Sequence, residues 1–130
     1  MDPQLDHLNL YVEDVARSRE FYLRVLAPFG YRVVRDLGRD AAGLGTLNYA
    51  ILGLVRAEPG FPGTHLAFSV ATHGEVERFH AAALAAGARD NGAPGLRPHY
   101  HPDYYAGFVI DPDGHNLEVV CHRPRTPQER

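Results

Sequence analysis

Two histidines and one glutamate have the types and spacing of a divalent-metal site. His7 and His65 stand 58 residues apart, each opening a stretch of alternating polarity: His7-Leu8-Asn9-Leu10-Tyr11-Val12 and His65-Leu66-Ala67-Phe68-Ser69-Val70. Period-two alternation predicts half-buried strands, so in both stretches the apolar residues share one face and the His lies on the other. Glu118 sits in Asn116-Leu117-Glu118-Val119-Val120-Cys121, where Leu117, Val119 and Cys121 claim the opposite face. Two imidazoles and one carboxylate can hold a divalent ion and leave coordination positions open to water or substrate. With eight His in 130 residues, a chance match at one repeated position runs at about 6%. The plainer alternative for each residue alone is a solvated or hydrogen-bonded side chain.

The elements that must position these residues form a repeat. Asp14 is placed to cap a helix over Val15–Ala27, with Phe21, Val25 and Leu26 on one face. Thr72, with Glu75 three residues later, is placed to cap a second helix over Gly74–Ala86, with Val76, Phe79, Ala83 and Leu84 on its apolar face. Phe21/Phe79 and Leu26/Leu84 keep the same offset, and Gly30 and Gly87 stop the two helices. Strands are expected at Tyr31–Asp36, Thr46–Ala50 and Ile51–Ala57, then at Ala88–Asp90, Tyr105–Ile110 and Asn116–His122. Asp111-Pro112-Asp113-Gly114 reads as a hairpin turn and residues 58–63 as a linker. The predicted fold is α+β: two tandem βαβββ modules, about 4–57 and 64–122, in a single domain over 1–123. The tail, 124–130, is expected to fray.

Composition narrows the chemistry. All 13 basic residues are Arg, so Schiff-base lysines and phosphate-loop lysines are excluded. A net charge of −3 with dispersed signs predicts neither nucleic acid nor a membrane surface as partner. One cysteine, Cys121, excludes an internal disulfide and makes the cytoplasm the expected location; Cys121 itself is expected to be buried and inert.

Around the metal candidates, Asn9, Tyr11 and Ser69 share the His-bearing faces and are candidate substrate contacts, together with Tyr49 and Tyr105. Their ordinary alternative is sheet packing. The segment Arg97–Tyr105 is dense in aromatic and titratable groups, and within it His101 and Tyr104 are candidates for acid–base work beside Glu118. His73, His80 and His115 are expected to be exposed, and His122 to lie beyond the metal's reach.

Three stretches in order carry a family resemblance: His7–Val12 with Ser18-Arg19-Glu20-Phe21-Tyr22, Gly63–Ser69, and Asp111-Pro112-Asp113-Gly114-His115-Asn116-Leu117-Glu118. Over residues 4 to 122 the chain resembles the glyoxalase / bleomycin-resistance / extradiol-dioxygenase (vicinal oxygen chelate) superfamily. The resemblance implies a curled sheet around a cavity, a metal held by His7, His65 and Glu118 (Fe, Mn, Zn or Ni), a small oxygen-rich substrate and a homodimer. It also marks a departure. The glyoxalase enzyme closes its first module with a further carboxylate ligand, and the matching stretch here, Ala50–Arg56, has none. Three functions stand beside one another: a metal-dependent lyase, isomerase or dioxygenase; a metal-free protein that sequesters an antibiotic or metabolite; and a thiol-transferring resistance enzyme, for which no cluster of cations is evident.

Overall fold

The computed structural model describes residues 3–129. The chain divides into two compact units, Met1–Pro62 and Gly63–Arg130. Each is one βαβββ module carrying a four-stranded mixed sheet, and the sheets are not closed into barrels.

In the first unit β1 (Leu8–Val12) leads into α1 (Val15–Leu26), a short 3₁₀ turn at Ala27–Phe29, and then β2 (Arg32–Asp36), β3 (Ala41–Gly45) and β4 (Leu52–Arg56). The sheet order is β1-β4-β3-β2, with β1 and β4 parallel and the other pairs antiparallel. The Asp14 carboxylate accepts the Arg17 N–H, satisfying one of the helix's orphan donors as the sequence predicts. Leu10, Leu44, Leu52 and Leu54 line one face of the sheet and are buried with Phe21, Tyr22, Val25 and Leu26 of α1.

The second unit repeats the plan: β5 (His65–Ser69), α2 (His73–Ala85), β6 (Arg89–Leu96), β7 (Tyr105–Ile110) and β8 (Asn116–Cys121), in the order β5-β8-β7-β6. Thr72 Oγ1 accepts the Glu75 N–H and donates to the Glu75 carboxylate, so the expected capping arrangement forms. Val76, Phe79 and Ala83 are buried with Leu66, Leu117, Val119 and Cys121.

Two strand bounds and the burial of four side chains differ from the sequence expectations. Strand β3 runs over Ala41–Gly45, not Thr46–Ala50, because its small residues are used where neighbouring chain crowds one face. Strand β6 continues to Leu96, since bulges between Asp90 and Gly95 let an edge strand absorb its glycines and Pro94. Leu84 is 38% exposed, and His80 takes its place on the apolar side, its ring over Gly107 and its Nε2 3.0 Å from an Asp90 oxygen. His73 and His115 are likewise buried: His73 Nε2 donates to the Arg123 carbonyl at 2.9 Å, and His115 Nδ1 accepts the Thr64 N–H at 2.9 Å. Each imidazole has one ring nitrogen met by a polar partner, while His73 Nδ1 is buried without a hydrogen bond and the ring is held by stacking on Tyr105.

The tail does not hang free as far as residue 129. Pro127–Glu129 forms a 3₁₀ turn, and the Glu129 carboxylate accepts the N–H and hydroxyl of Thr126 and the N–H of Gly74 in the first turn of α2. Arg125 lies over the Tyr105 ring and reaches Glu77. Accepting the Thr126 N–H, then the Gly74 N–H, holds the Glu129 carboxyl below its usual range, outweighing partial desolvation. A lowered folded-state value means the clasp stabilises fully above the ordinary carboxylate range and loses its contribution as pH falls through the folded-state value. Amide exchange at Gly74 and Thr126 is therefore expected to be slow at pH 7 and faster in Glu129→Gln, with that difference shrinking as the pH is taken well below the ordinary carboxylate range. Equal protection in the two proteins at pH 7 would show that the carboxylate does not hold the tail.

Candidate functional site

Parallel pairing of β5 with β8 sets Ala67 opposite Glu118 and His65 opposite Asn116, so His65, Ala67, Ser69 and Glu118 share the face away from α2. Leu117, Val119 and Cys121 take the other face and anchor it on the helix. Glu118 is 3% exposed although it is a carboxylate, and both its oxygens are occupied. Oε1 lies 2.9 Å from His65 Nε2, and Oε2 accepts the Tyr104 hydroxyl. The His65 side chain is 55% exposed, so the pair has one buried and one open member. Burial first, then the hydrogen bond to Glu118 and its negative charge, push the Tyr104 phenol up to about 12, which keeps it a donor at neutral pH.

His101 lies between β6 and β7. Its Nδ1 accepts the Asp103 N–H, so in the neutral ring Nε2 carries the proton and donates to His122 Nδ1 at 2.9 Å. Both imidazoles pack edge-on to the Tyr104 ring, at 5.4 and 5.3 Å between centroids. His122, which the sequence reading set aside, thus belongs to the same cluster as Tyr104. A signal existed: in the expected strand Asn116–His122 alternation sets His122 on the Glu118 face, and distance along the strand was what set it aside.

Tyr105 falls on the opposite face from Glu118, because adjacent residues of a strand alternate. It pairs with Cys121, stacks on His73 at 3.9 Å and donates its hydroxyl to Glu77 at 2.6 Å.

In the first unit His7 directly precedes β1 and is hydrogen-bonded to Asp6 at 2.8 Å. His7, Asn9 and Tyr49 line a concave site of about 480 Å³ on the face away from α1, with Arg35, Leu37 and Ala50. Tyr11 shares the strand face of Asn9 and stacks with Phe61 at 4.3 Å. Tyr49 belongs to the turn between β3 and β4 rather than to a strand. Register also explains the missing carboxylate. In the second unit Ala67 faces Glu118, and in the first the equivalent pair is Asn9 and Gly53. The place of Glu118 is held by a glycine, over which the Asn9 amide folds.

Among the described residues no single unit gathers three His, Cys, Asp or Glu side chains into a metal cage. The second unit supplies two such donors side by side. Ligands about 2.1 Å from an ion and at right angles lie about 3 Å apart, so the 2.9 Å between His65 Nε2 and Glu118 Oε1 suits two adjacent ligands of one ion. The first unit supplies His7 at the position equivalent to His65.

Comparison with known proteins follows the same lines. A family model of the Glyoxalase/Bleomycin resistance protein/Dioxygenase superfamily matches residues 4–119. Among solved structures, a glyoxalase/bleomycin resistance protein from Albidiferax ferrireducens T118 is 24% identical, covering 89% of this chain and 97% of its own, with a TM-score of 0.75. A possible glyoxalase from Bacillus cereus is 28% identical, covering 91% and 98%, with a TM-score of 0.68. A lactoylglutathione lyase from Agrobacterium tumefaciens is 19% identical, covering 92% and 94%, with a TM-score of 0.70. No curated protein matches the chain. With almost its whole length matched by the family model and both modules present, the chain belongs to the Glyoxalase/Bleomycin resistance protein/Dioxygenase superfamily.

Proposed function

We propose that the protein is a metal-dependent enzyme acting on a small, oxygen-rich substrate, with His7, His65 and Glu118 as the metal ligands. The observation that carries this reading is the His65–Glu118 pair, in which a buried carboxylate meets an open imidazole at the separation of adjacent ligands. Tyr104 holds the carboxylate as an orienting outer donor would, and an ion between Glu118 and His65 would take over from the hydrogen bond that now offsets the cost of burying the charge.

A divalent ion held there supplies a Lewis acid with open positions for two neighbouring substrate oxygens. The chain's own residues do the rest. Tyr104 donates to the second Glu118 oxygen and fixes the carboxylate's orientation. His101, hydrogen-bonded to His122, gives the cluster an imidazole placed to pass a proton between its two nitrogens' partners. Asn9, Tyr11, Tyr49 and Ser69 line the faces on which substrate would lie. The protein is proposed to work as a homodimer in the cytoplasm, with iron, manganese, zinc or nickel as the ion.

The 480 Å³ site of the first unit favours a second reading, because it is large enough for a small molecule and needs no metal to hold one. In that reading the protein sequesters an antibiotic or metabolite without turnover. Elemental analysis of untagged protein separates the two. Near-stoichiometric divalent metal is expected in the wild type and none in a folded His7→Ala/His65→Ala/Glu118→Gln variant. Equal metal in both, or none in either after reconstitution, would leave the sequestering protein as the better account.

A further inference from the structure

The register of the first sheet sets four residues in one transverse row. Arg35 of β2 lies opposite Gly43 of β3, Gly43 opposite Gly53 of β4, and Gly53 opposite Asn9 of β1. Residues in such a row point to the same face, so the two central strands present no side chain between an arginine and an asparagine. The row spans three strand spacings, about 14 Å. Neither glycine could carry a side chain without displacing a neighbour. A Cβ at Gly43 would lie 2.7 Å from the Ala50 Cβ and 3.3 Å from the Arg35 Cβ, and one at Gly53 would collide with the Asn9 amide. The Ala50 methyl takes the space over Gly43 and the Asn9 amide the space over Gly53, and with the two glycines they make the low floor of a trough, the 480 Å³ site.

Charge is distributed unevenly along the trough. Arg35 lines one end and has no hydrogen-bonding or ionic partner among the described residues. At the other end His7 is held by the Asp6 carboxylate, which disfavours an anion there. A lone guanidinium matches one planar monoanion through two parallel hydrogen bonds. Between the ends the lining is mostly apolar, from Leu37, Ala41, Ala50 and Val55.

From this row we infer that the trough binds a small organic carboxylate: its carboxylate sits on Arg35, a compact apolar body lies along the low floor against Ala50 and Val55, and its polar end meets Asn9 and His7. The inference rests on the reading that the sheet faces hold the substrate, and it gives that substrate a class. It needs no metal, so the two can fail separately. Arg35 is then an affinity and specificity residue, and Asn9 a neutral donor and acceptor at the far end.

Titration of isotope-labelled protein with benzoate, benzamide and phenyl phosphate, followed through the backbone amides of Asn9, Gly43 and Gly53, tests it. Benzoate is expected to shift these three amides and benzamide to leave them unchanged. Arg35→Gln should weaken benzoate by about ten- to a hundredfold, the range for a lost charged hydrogen bond, and Arg35→Lys by less. Both variants change an exposed side chain, so their spectra should otherwise overlay the wild type. The inference is overturned if benzoate binds Arg35→Gln as tightly, if benzamide binds equally well, or if no shift appears at these amides up to tens of millimolar benzoate. Tighter binding of phenyl phosphate than of benzoate would overturn the carboxylate in favour of a phosphate ester. Metal content, measured on the same samples, reports on the metal reading alone: carboxylate binding that survives in metal-free protein supports the trough and removes only the enzyme.

Discussion

Glu118→Gln is expected to reduce retained divalent metal by about a hundredfold or more while leaving the fold in place. Removing a group that merely supports a ligand costs about 10–100-fold in metal affinity, so removing a ligand's charge should reach or exceed the upper end. Glutamine keeps the shape of Glu118 and still accepts the Tyr104 hydroxyl, so the buried position gains no unsatisfied atom of consequence. What it loses is the negative charge facing His65. Circular dichroism should be unchanged, and competition with a fluorescent chelator should report the drop. Tyr104→Phe is the matched control: it leaves the carboxylate and removes only its orienting donor, so its loss should be closer to tenfold. Metal binding by Glu118→Gln equal to the wild type would remove Glu118 from the ligand set. Equal losses for both variants would mean that the orientation of the carboxylate matters as much as its charge.

Much of this geometry was legible in the sequence because a repeat writes each element twice. His7 and His65, Asp14 and Thr72, Phe21 and Phe79 all recur at or near one offset, and each recurrence marked a strand start, a cap or a core contact. Period-two alternation was sufficient to set Glu118 on the face opposite Leu117, Val119 and Cys121, which the β5–β8 register bears out. Alternation fails where small residues replace a pattern. Ala41-Ala42-Gly43-Leu44-Gly45 has too little apolar contrast to read as a strand, yet it is one, and it forms half the floor of the trough.

Pairwise relations were the harder part. Nothing in the order of residues reveals that Arg35, Gly43, Gly53 and Asn9 form one row, because register depends on turns and bulges between strands. The buried histidines were missed for a related reason. A histidine reads as polar until a carbonyl, an amide or a carboxylate from a distant segment meets one of its nitrogens, as Arg123, Thr64 and Asp90 do for His73, His115 and His80. Tyr105, expected among the substrate contacts, lies on the face opposite Glu118, where it lines a smaller concavity with His73 and Arg125, because a shift of one residue along a strand is a change of face.

Phe79→Ala is expected to destabilise the second unit by about 3–5 kcal/mol, the range for truncating a buried aromatic. The reason lies in the composition of α2. Its buried positions are His73, Val76, Phe79, His80 and Ala83, so Phe79 is the one large apolar side chain it contributes to the core. Helix α1 spreads the same task over Val15, Phe21, Tyr22, Val25 and Leu26. Phe79 is 2% exposed and packs near the half-buried Phe68 ring at 5.9 Å, so truncation opens a cavity that only a shift of Phe68 could partly fill. Its loss would loosen the helix against Leu117 and Val119, the residues that fix the facing of Glu118. Urea unfolding followed by far-ultraviolet circular dichroism should show the midpoint falling with little change in slope, and Phe79→Leu should recover most of the loss. A cost under about 2 kcal/mol, well below the range for a buried aromatic, would show that α2 is held chiefly at its N-terminus. The clasp of Glu129 on Gly74 and the Arg125–Tyr105–Glu77 contacts would then be the main restraint, and Glu129→Gln combined with Phe79→Ala should release the helix where neither change does so alone.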